Sequence, residues 1–335
     1  MHELRKDPLL SRWAAILENS LKPEEYGTFP APREGLGLPA AGAQGHITVE
    51  RGTDGIRVVK GLRLLDEKGE LGRKGEGIYD KMNPIGVHEV VMEERAGRSD
   101  SGGGQPEAGN FRAVLDIYLR RITALVKDAR LRYVFIFRNM EGCAGGRPAP
   151  HGPQGSTERL HSEILATPVI PDFIKRELDG AKQYYQYKER CIFCDIMNEE
   201  SRVESRVIAR TEHFIAFCPY APRLPFEFWI VPRRHSCAFE ETSGPELDDL
   251  ARLLPELLGR MGRALNHPPC YYIHTAPNRI PRKNLWHTLG DDYHWHIEVL
   301  PAGGLIGGGS AVDLGSGFAL LATSPEDAAR YIREA

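Results

Sequence analysis

The sequence predicts a mixed α/β protein in which one pattern of strands and helices occurs twice. A chain of 335 residues has room for two ordinary domains or one large one. Its 35 glycines and 24 prolines are too many for a helical bundle and too few for a disordered chain. Strand-like and helix-like segments also recur at a nearly constant offset of about 135 residues, which points to an old duplication. Two such copies would pack their sheets into one body.

In order, the Gly-, Pro- and Ala-rich segment 24–54 has no period and is expected to be loop. Segments 56–60 and 89–93 are strand-like, and 97–110 (GRSDSGGGQPEAGN) is a flexible connector. Val114, Ile117, Tyr118, Ile122, Leu125 and Val126 fall at near-helical spacing, so 111–127 is an amphipathic helix. LRYVFIFR at 131–138 is a β-prone strand, 142–155 is Gly/Pro-rich, and HSEILAT at 161–167 is another strand. Segment 172–189 is a helix with Asp172 as its expected cap. The order then repeats: strand 226–232, Leu-rich helix 245–265, strand 270–274, and a histidine-bearing strand 294–300.

The formal charge of −3 offers no broad basic field for nucleic acid or an anionic membrane. No apolar run approaches the ~18 residues of a membrane span. MHELRKDPLL has no apolar core, so it is not a signal peptide. These features predict a soluble, cytoplasmic protein with neither nucleic acid nor membrane as partner.

Six cysteines are too sparse for a disulfide framework in a chain this long. Cys143, Cys218, Cys237 and Cys270 read as solitary small hydrophobes. Cys191 and Cys194 form a C-x2-C pair, which in a reducing compartment suggests metal or redox chemistry. Period-2 alternation would put His294, His296 and Glu298 on one strand face, with Tyr293, Trp295 and Ile297 on the other. Cys191, Cys194, His235 and His294 make a tetrahedral zinc inventory, with His274 competing with His235 for one position. The first half carries Arg159, His161 and Glu163 in the matching order but has no C-x2-C. A neutral imidazole there can attack phosphorus, and an adjacent Arg can hold a phosphate oxygen.

Several stretches carry a family resemblance. They include IRVVKGLRLLD, GIYDKMNPIGVHEVVMEE, FRNMEG, LHSEILATPVIP, CIFCDIM, FIAFCPYAPRLPFEFWIVPRRH, YHWHIEVLP and GSGFALLATSPEDAARYIRE. In these the chain resembles the galactose-1-phosphate uridylyltransferase family of the histidine-triad superfamily. The resemblance implies an α+β class: a duplicated histidine-triad-like fold, two half-barrel antiparallel sheets flanked by helices. The expected division is 1–188, with the nucleophile, and 189–335, with one zinc site. It further implies a nucleotidyltransferase of galactose and sugar-nucleotide metabolism, with UDP-glucose or another nucleotide sugar and a sugar phosphate as partners. The family tends to dimerise, which leaves a homodimer open.

By position, the resemblance makes His161 the nucleophile, with Asn139, Ser156 and Lys22 at the phosphates. His151, in APHGPQ, offers a rival register, but the residues after His161 match contiguously. The family's first metal site is missing: its N-terminal pair is absent, and Gly97 and Arg159 stand at two of its ligand positions. Arg159 would replace part of the lost positive charge. Glu163 stands where the family has glutamine, which requires a protonated Glu163, a partner such as Arg159, or altered chemistry. About nine residues are inserted between Asn139 and His161, and Ala319 replaces a family carboxylate. The second half keeps its zinc pattern, and His296, at the position equivalent to the nucleophile, supports that scaffold. An NDP-sugar phosphorylase and a non-catalytic nucleotide- or sugar-phosphate-binding relative remain the alternatives.

Overall fold

A computed structural model describes residues 3–6, 13–16, 48–53, 56–60, 65–93, 108–138, 161–266, 269–280, 287–301, 319 and 321–335. For 3–6, 13–16, 48, 93, 108–110 and 161 it describes the backbone only. Lys22, Gly97, Asn139, Cys143, His151, Ser156 and Arg159 lie outside the described residues, as does most of the loop predicted over 24–54.

Alternating apolar residues build one ten-stranded antiparallel sheet. The first half supplies β3 (Thr48–Arg51), β4 (Ile56–Lys60), β7 (Val87–Glu93), β8 (Tyr133–Arg138) and β9 (His161–Thr167). The second supplies β10 (Val207–Arg210), β11 (Phe214–Phe217), β12 (Phe228–Pro232), β13 (Pro269–His274) and β14 (His296–Pro301). The order is β10-β11-β12-β14-β13-β8-β9-β7-β4-β3. Outward from the β13–β8 seam, each half runs through equivalent strands in the same sequence. The seam is antiparallel, with Tyr271 opposite Arg138 and Ile273 opposite Ile136. The duplicated α+β architecture is therefore present, its two sheets continuous edge to edge. A separate small sheet joins β1 (Glu3–Lys6), β2 (Trp13–Ile16), β5 (Lys74–Glu76) and β6 (Tyr79–Met82) in the order β2-β1-β6-β5.

Two long helices cover one face: α1 (Ala108–Leu125) and α4 (Gly244–Leu265). Ser243 and Glu246 form a reciprocal capping box at the start of α4, and Asn266 ends it in the left-handed conformation. Leu247, Leu250, Leu254, Leu257 and Met261 share the buried side of α4 and join Val114, Ile117 and Tyr118 of α1 in one core with Ile136, Ile164, Ile273 and Ile297. The opposite face carries Phe135, Phe137 and Tyr272; in the second half α2 (Asp172–Lys188) and α3 (Ile192–Val203) cover it. A helix of one turn, α5 (Leu289–Asp292), a 3-10 turn at Phe239–Glu241 and the C-terminal α6 (Pro325–Glu334) complete the described elements. Among the described residues no helix is long and apolar enough to cross a membrane.

Three local expectations change. β3 lies inside the segment expected to be loop, where pairing with β4 overrides the Gly-rich composition. The N-cap of α2 is Pro171, and Asp172 is instead the first helical residue, paired with Arg176 at 2.9 Å. β14 begins at His296; His294 and His296 both pack against Phe193, at 6.3 and 5.1 Å, as the alternation predicts, but Tyr293 lies outside the strand and departs from it. Tyr293 accordingly packs against Phe193 at 5.5 Å, on the side away from Trp295, which meets Phe214 and Phe239.

Candidate metal centre and transfer face

The C-x2-C pair sits at the start of α3, with Cys191 as its N-cap and Cys194 one turn in. His235 follows β12, and His294 precedes β14; β12 and β14 are paired, with Ile230 opposite Ile297. That pairing brings both histidines to the α3 N-terminus. The four ligand atoms all lie within 4.8 Å of one another. Cys194 Sγ is 3.4 Å from His235 Nδ1 and 3.7 Å from His294 Nδ1. A tetrahedral zinc with Cys and His ligands spaces its donors about 3.3–3.8 Å apart, so the set fits.

Each histidine also has its other nitrogen engaged. His235 Nε2 donates to the Gly290 carbonyl at 2.9 Å, and His294 Nε2 donates to the Pro232 carbonyl at 2.8 Å. These bonds fix the tautomer that leaves Nδ1 as the ligand atom. A hydrogen bond from Cys191, aided by the two imidazoles, pulls the Cys194 thiol down to about 3, while Cys191 is pushed up. One sulfur is thus held as the thiolate a metal requires. Four protein donors close the site and make it structural in kind.

His274 does not compete for this group. It belongs to a second cluster with Glu177, His296 and Glu298, whose ligand atoms likewise lie within 4.8 Å. Across the β13–β14 ladder His274 faces His296 and Tyr272 faces Glu298. Glu177 reaches in from α2, 3.1 Å from His274 Nδ1. Burial raises the Glu177 carboxyl, but His274 outweighs it and holds the group well below the usual range. Arg223 meets Glu298 at 2.5 Å. His296 Nε2 and Glu298 Oε1 are buried without a hydrogen-bond partner, as a cation-binding group would leave them. Sequence reasoning gave Glu177 no role: it is one of several charges on an amphipathic helix. The H-x-E spacing at His296 and Glu298, read together with His274, was the available signal.

In the first half, β9 places residue 161 opposite Met92 and Glu163 opposite Val90 of β7. Positions 161 and 163 therefore share a face by alternation. Glu163 is partnered by His88, at 2.8 Å, a residue the sequence did not single out. Of the cysteines read as solitary, Cys218 and Cys237 are free thiols and Cys270 is disulfide-bonded.

No family model matches the chain. An ADP-glucose phosphorylase from Arabidopsis thaliana is 30% identical over 350 aligned residues, covering 99% of this chain and 92% of its own. A galactose-1-phosphate uridylyltransferase from Thermotoga maritima is 25% identical, covering 100% and 98%. Among solved structures, an ADP-glucose phosphorylase from Arabidopsis thaliana with bound ADP-glucose has a TM-score of 0.69 at 25% identity, covering 100% and 99%. A uridylyltransferase structure reaches 0.74 at 24% identity, with 99% and 98% covered, and speaks for the fold. With both halves matched along their length, the chain belongs to the galactose-1-phosphate uridylyltransferase family, as a divergent member.

Proposed function

We propose that the chain is a nucleotidyltransferase that takes the nucleotidyl group of a nucleotide sugar onto His161 and passes it to a second phosphate. The observation that carries this reading is similarity through both halves to an ADP-glucose phosphorylase and to a galactose-1-phosphate uridylyltransferase. In the first step an imidazole nitrogen of His161 attacks the α-phosphorus. A P–N bond forms, and hexose 1-phosphate leaves with the electrons of the broken P–O bond. An oxygen of the acceptor phosphate then attacks the same phosphorus, and the P–N bond breaks to restore the imidazole. Arg159 offsets phosphate charge, Asn139, Ser156 and Lys22 bind the phosphates, and Glu163 flanks the nucleophile. The setting is cytoplasmic sugar-nucleotide metabolism.

Cys191, Cys194, His235 and His294 would hold a zinc ion, which supplies a cross-link between the start of α3 and the β12–β14 edge. These residues brace the second half against the sheet and take no part in the transfer.

Inorganic phosphate as acceptor is the second reading. The 30% identity to an ADP-glucose phosphorylase, against 25% to the transferase, favours it. Labelled UDP-glucose and ADP-glucose, each offered with galactose 1-phosphate or with inorganic phosphate, separate the two. Nucleotide-sugar exchange with galactose 1-phosphate marks a transferase, and release of a nucleoside diphosphate with inorganic phosphate marks a phosphorylase. Absence of product from all four pairs would support a binding protein instead.

A further inference from the structure

Behind the proposed nucleophile, the core holds hydroxyl groups among apolar side chains. Ser162 is 1% exposed, and Tyr118 and Tyr271 are fully buried. The Tyr118 hydroxyl donates to Ser162 Oγ at 2.6 Å and lies 2.8 Å from the Tyr271 hydroxyl. Tyr118 comes from α1, Ser162 from β9 and Tyr271 from β13. Ser162 lies between positions 161 and 163, which strand alternation gives to the opposite, transfer face of β9.

The strand pairing shows what this contact does for the start of β9. Among the described residues, β8 and β9 pair from Tyr133 opposite Thr167 to Phe137 opposite Glu163, and no further. β8 itself runs on to Arg138, which pairs with Tyr271 of β13. The ladder therefore holds Ser162 and residue 161 from the β7 side, opposite Val91 and Met92. On the seam side the Tyr118 hydroxyl takes over where the pairing with β8 stops. The second half is built differently. There the β13–β14 ladder continues through His274 opposite His296, and Ile297, packed in the core, stands in the place of Ser162. Buried hydroxyls cost stability unless each is satisfied, and once satisfied they fix relative position more narrowly than apolar packing does.

We propose that Tyr118 is a positioning residue for nucleotidyl transfer: through Ser162 it holds the singly paired start of β9, and with it the backbone of residue 161, in place for attack on phosphorus. This rests on the reading of His161 as the group that receives phosphorus. A displacement of about 1 Å at the reacting atom can cost on the order of 100-fold in rate. Tyr271 meets the Tyr118 hydroxyl from the side of β13, so removing its own hydroxyl leaves the bond to Ser162 in place.

The test compares wild type, Y118F, S162A, the double variant and Y271F, all metal-loaded and well below their melting temperatures. The measurement is single-turnover formation of the nucleotidyl-enzyme from labelled UDP-glucose and ADP-glucose over a range of concentrations. Y118F and S162A should each lower the maximal rate by about 10- to 100-fold, with the half-saturating concentration changed by less than about twofold. The double variant should be no slower than the slower single variant, because both changes remove one contact. Y271F should lower the melting temperature as Y118F does, since it too leaves a buried hydroxyl short of a partner, yet keep the wild-type maximal rate to within about twofold. Should Y118F fold poorly, S162A against Y271F decides alone. Wild-type rates in S162A, or a Y271F as slow as S162A, would overturn the proposal while leaving the reading of His161 intact. A wild type that forms no nucleotidyl-enzyme would overturn both.

Discussion

Glu163 and Glu298 stand at equivalent places on β9 and β14, yet each meets a different base: His88 at 2.8 Å and Arg223 at 2.5 Å. Both carboxyls sit beside an aromatic on the neighbouring seam strand, Phe137 for one and Tyr272 for the other. The duplication has kept the carboxyl and varied its partner. One half thereby holds an ion pair with arginine beside a buried cluster, and the other a carboxyl held by an imidazole.

Replacing Arg223 with Met removes the cation from Glu298, which is 2% exposed, and from Glu227, which is 1% exposed. Stranding a buried charge in this way should cost about 3–5 kcal/mol in chemical denaturation. Adding Glu298→Gln should recover part of that loss. A single variant as stable as wild type would mean that the cluster is compensated by some other group.

Cys194→Ser should lower bound metal by one equivalent per chain, read by elemental analysis. It should also reduce the melting temperature by roughly 4 °C, the scale of losing about 3 kcal/mol from a chain of this size. Unchanged metal content would place the zinc elsewhere.

Tyr118 ties the two halves through the core. Its hydroxyl donates to Ser162 Oγ at 2.6 Å and lies 2.8 Å from the Tyr271 hydroxyl, joining α1, β9 and β13. Tyr118→Phe leaves Ser162 and Tyr271 short of a partner in a buried setting, an expected loss of about 1–3 kcal/mol. A neutral substitution would show that the two remaining hydroxyls pair directly.

Glu246 illustrates the pH behaviour of a capping carboxylate. Burial raises it, but Arg234 and the Ser243 backbone N–H overcome that and lower it from 4.5 to about 2. A carboxyl depressed on folding stabilises fully above its unfolded value and loses that contribution as pH falls through its folded value. Wild type should therefore lose stability from about pH 4.5 towards 2 faster than Glu246→Gln, which is less stable at neutrality by about 1 kcal/mol. Parallel acid titrations would contradict this.

The repeat was legible because the β8 and β13 sequences, YVFIFR and PCYYIH, carry apolar and aromatic residues in quantity and α4 advertises its leucine stripe. The metal-ligand group was legible because a C-x2-C pair shares its half of the chain with His235 and His294, which together make a four-donor set. Residues whose role comes only from a neighbouring strand were not. His88 acquires its partner through the β7–β9 register, 75 positions away in the chain, and Glu177 reaches His274 only because α2 folds across the seam strands. His294 and His296 do share the side facing Phe193, but the sequence did not show that they join two different clusters.

The most direct test of the account is to trap the enzyme with nucleotide sugar, labelled in the α-phosphate, and to map the acid-labile, base-stable adduct by mass spectrometry. The account predicts a nucleotidyl group on His161, absent in His161→Ala and retained in His296→Ala. An adduct on His151 or His296, or none with any nucleotide sugar, would contradict it.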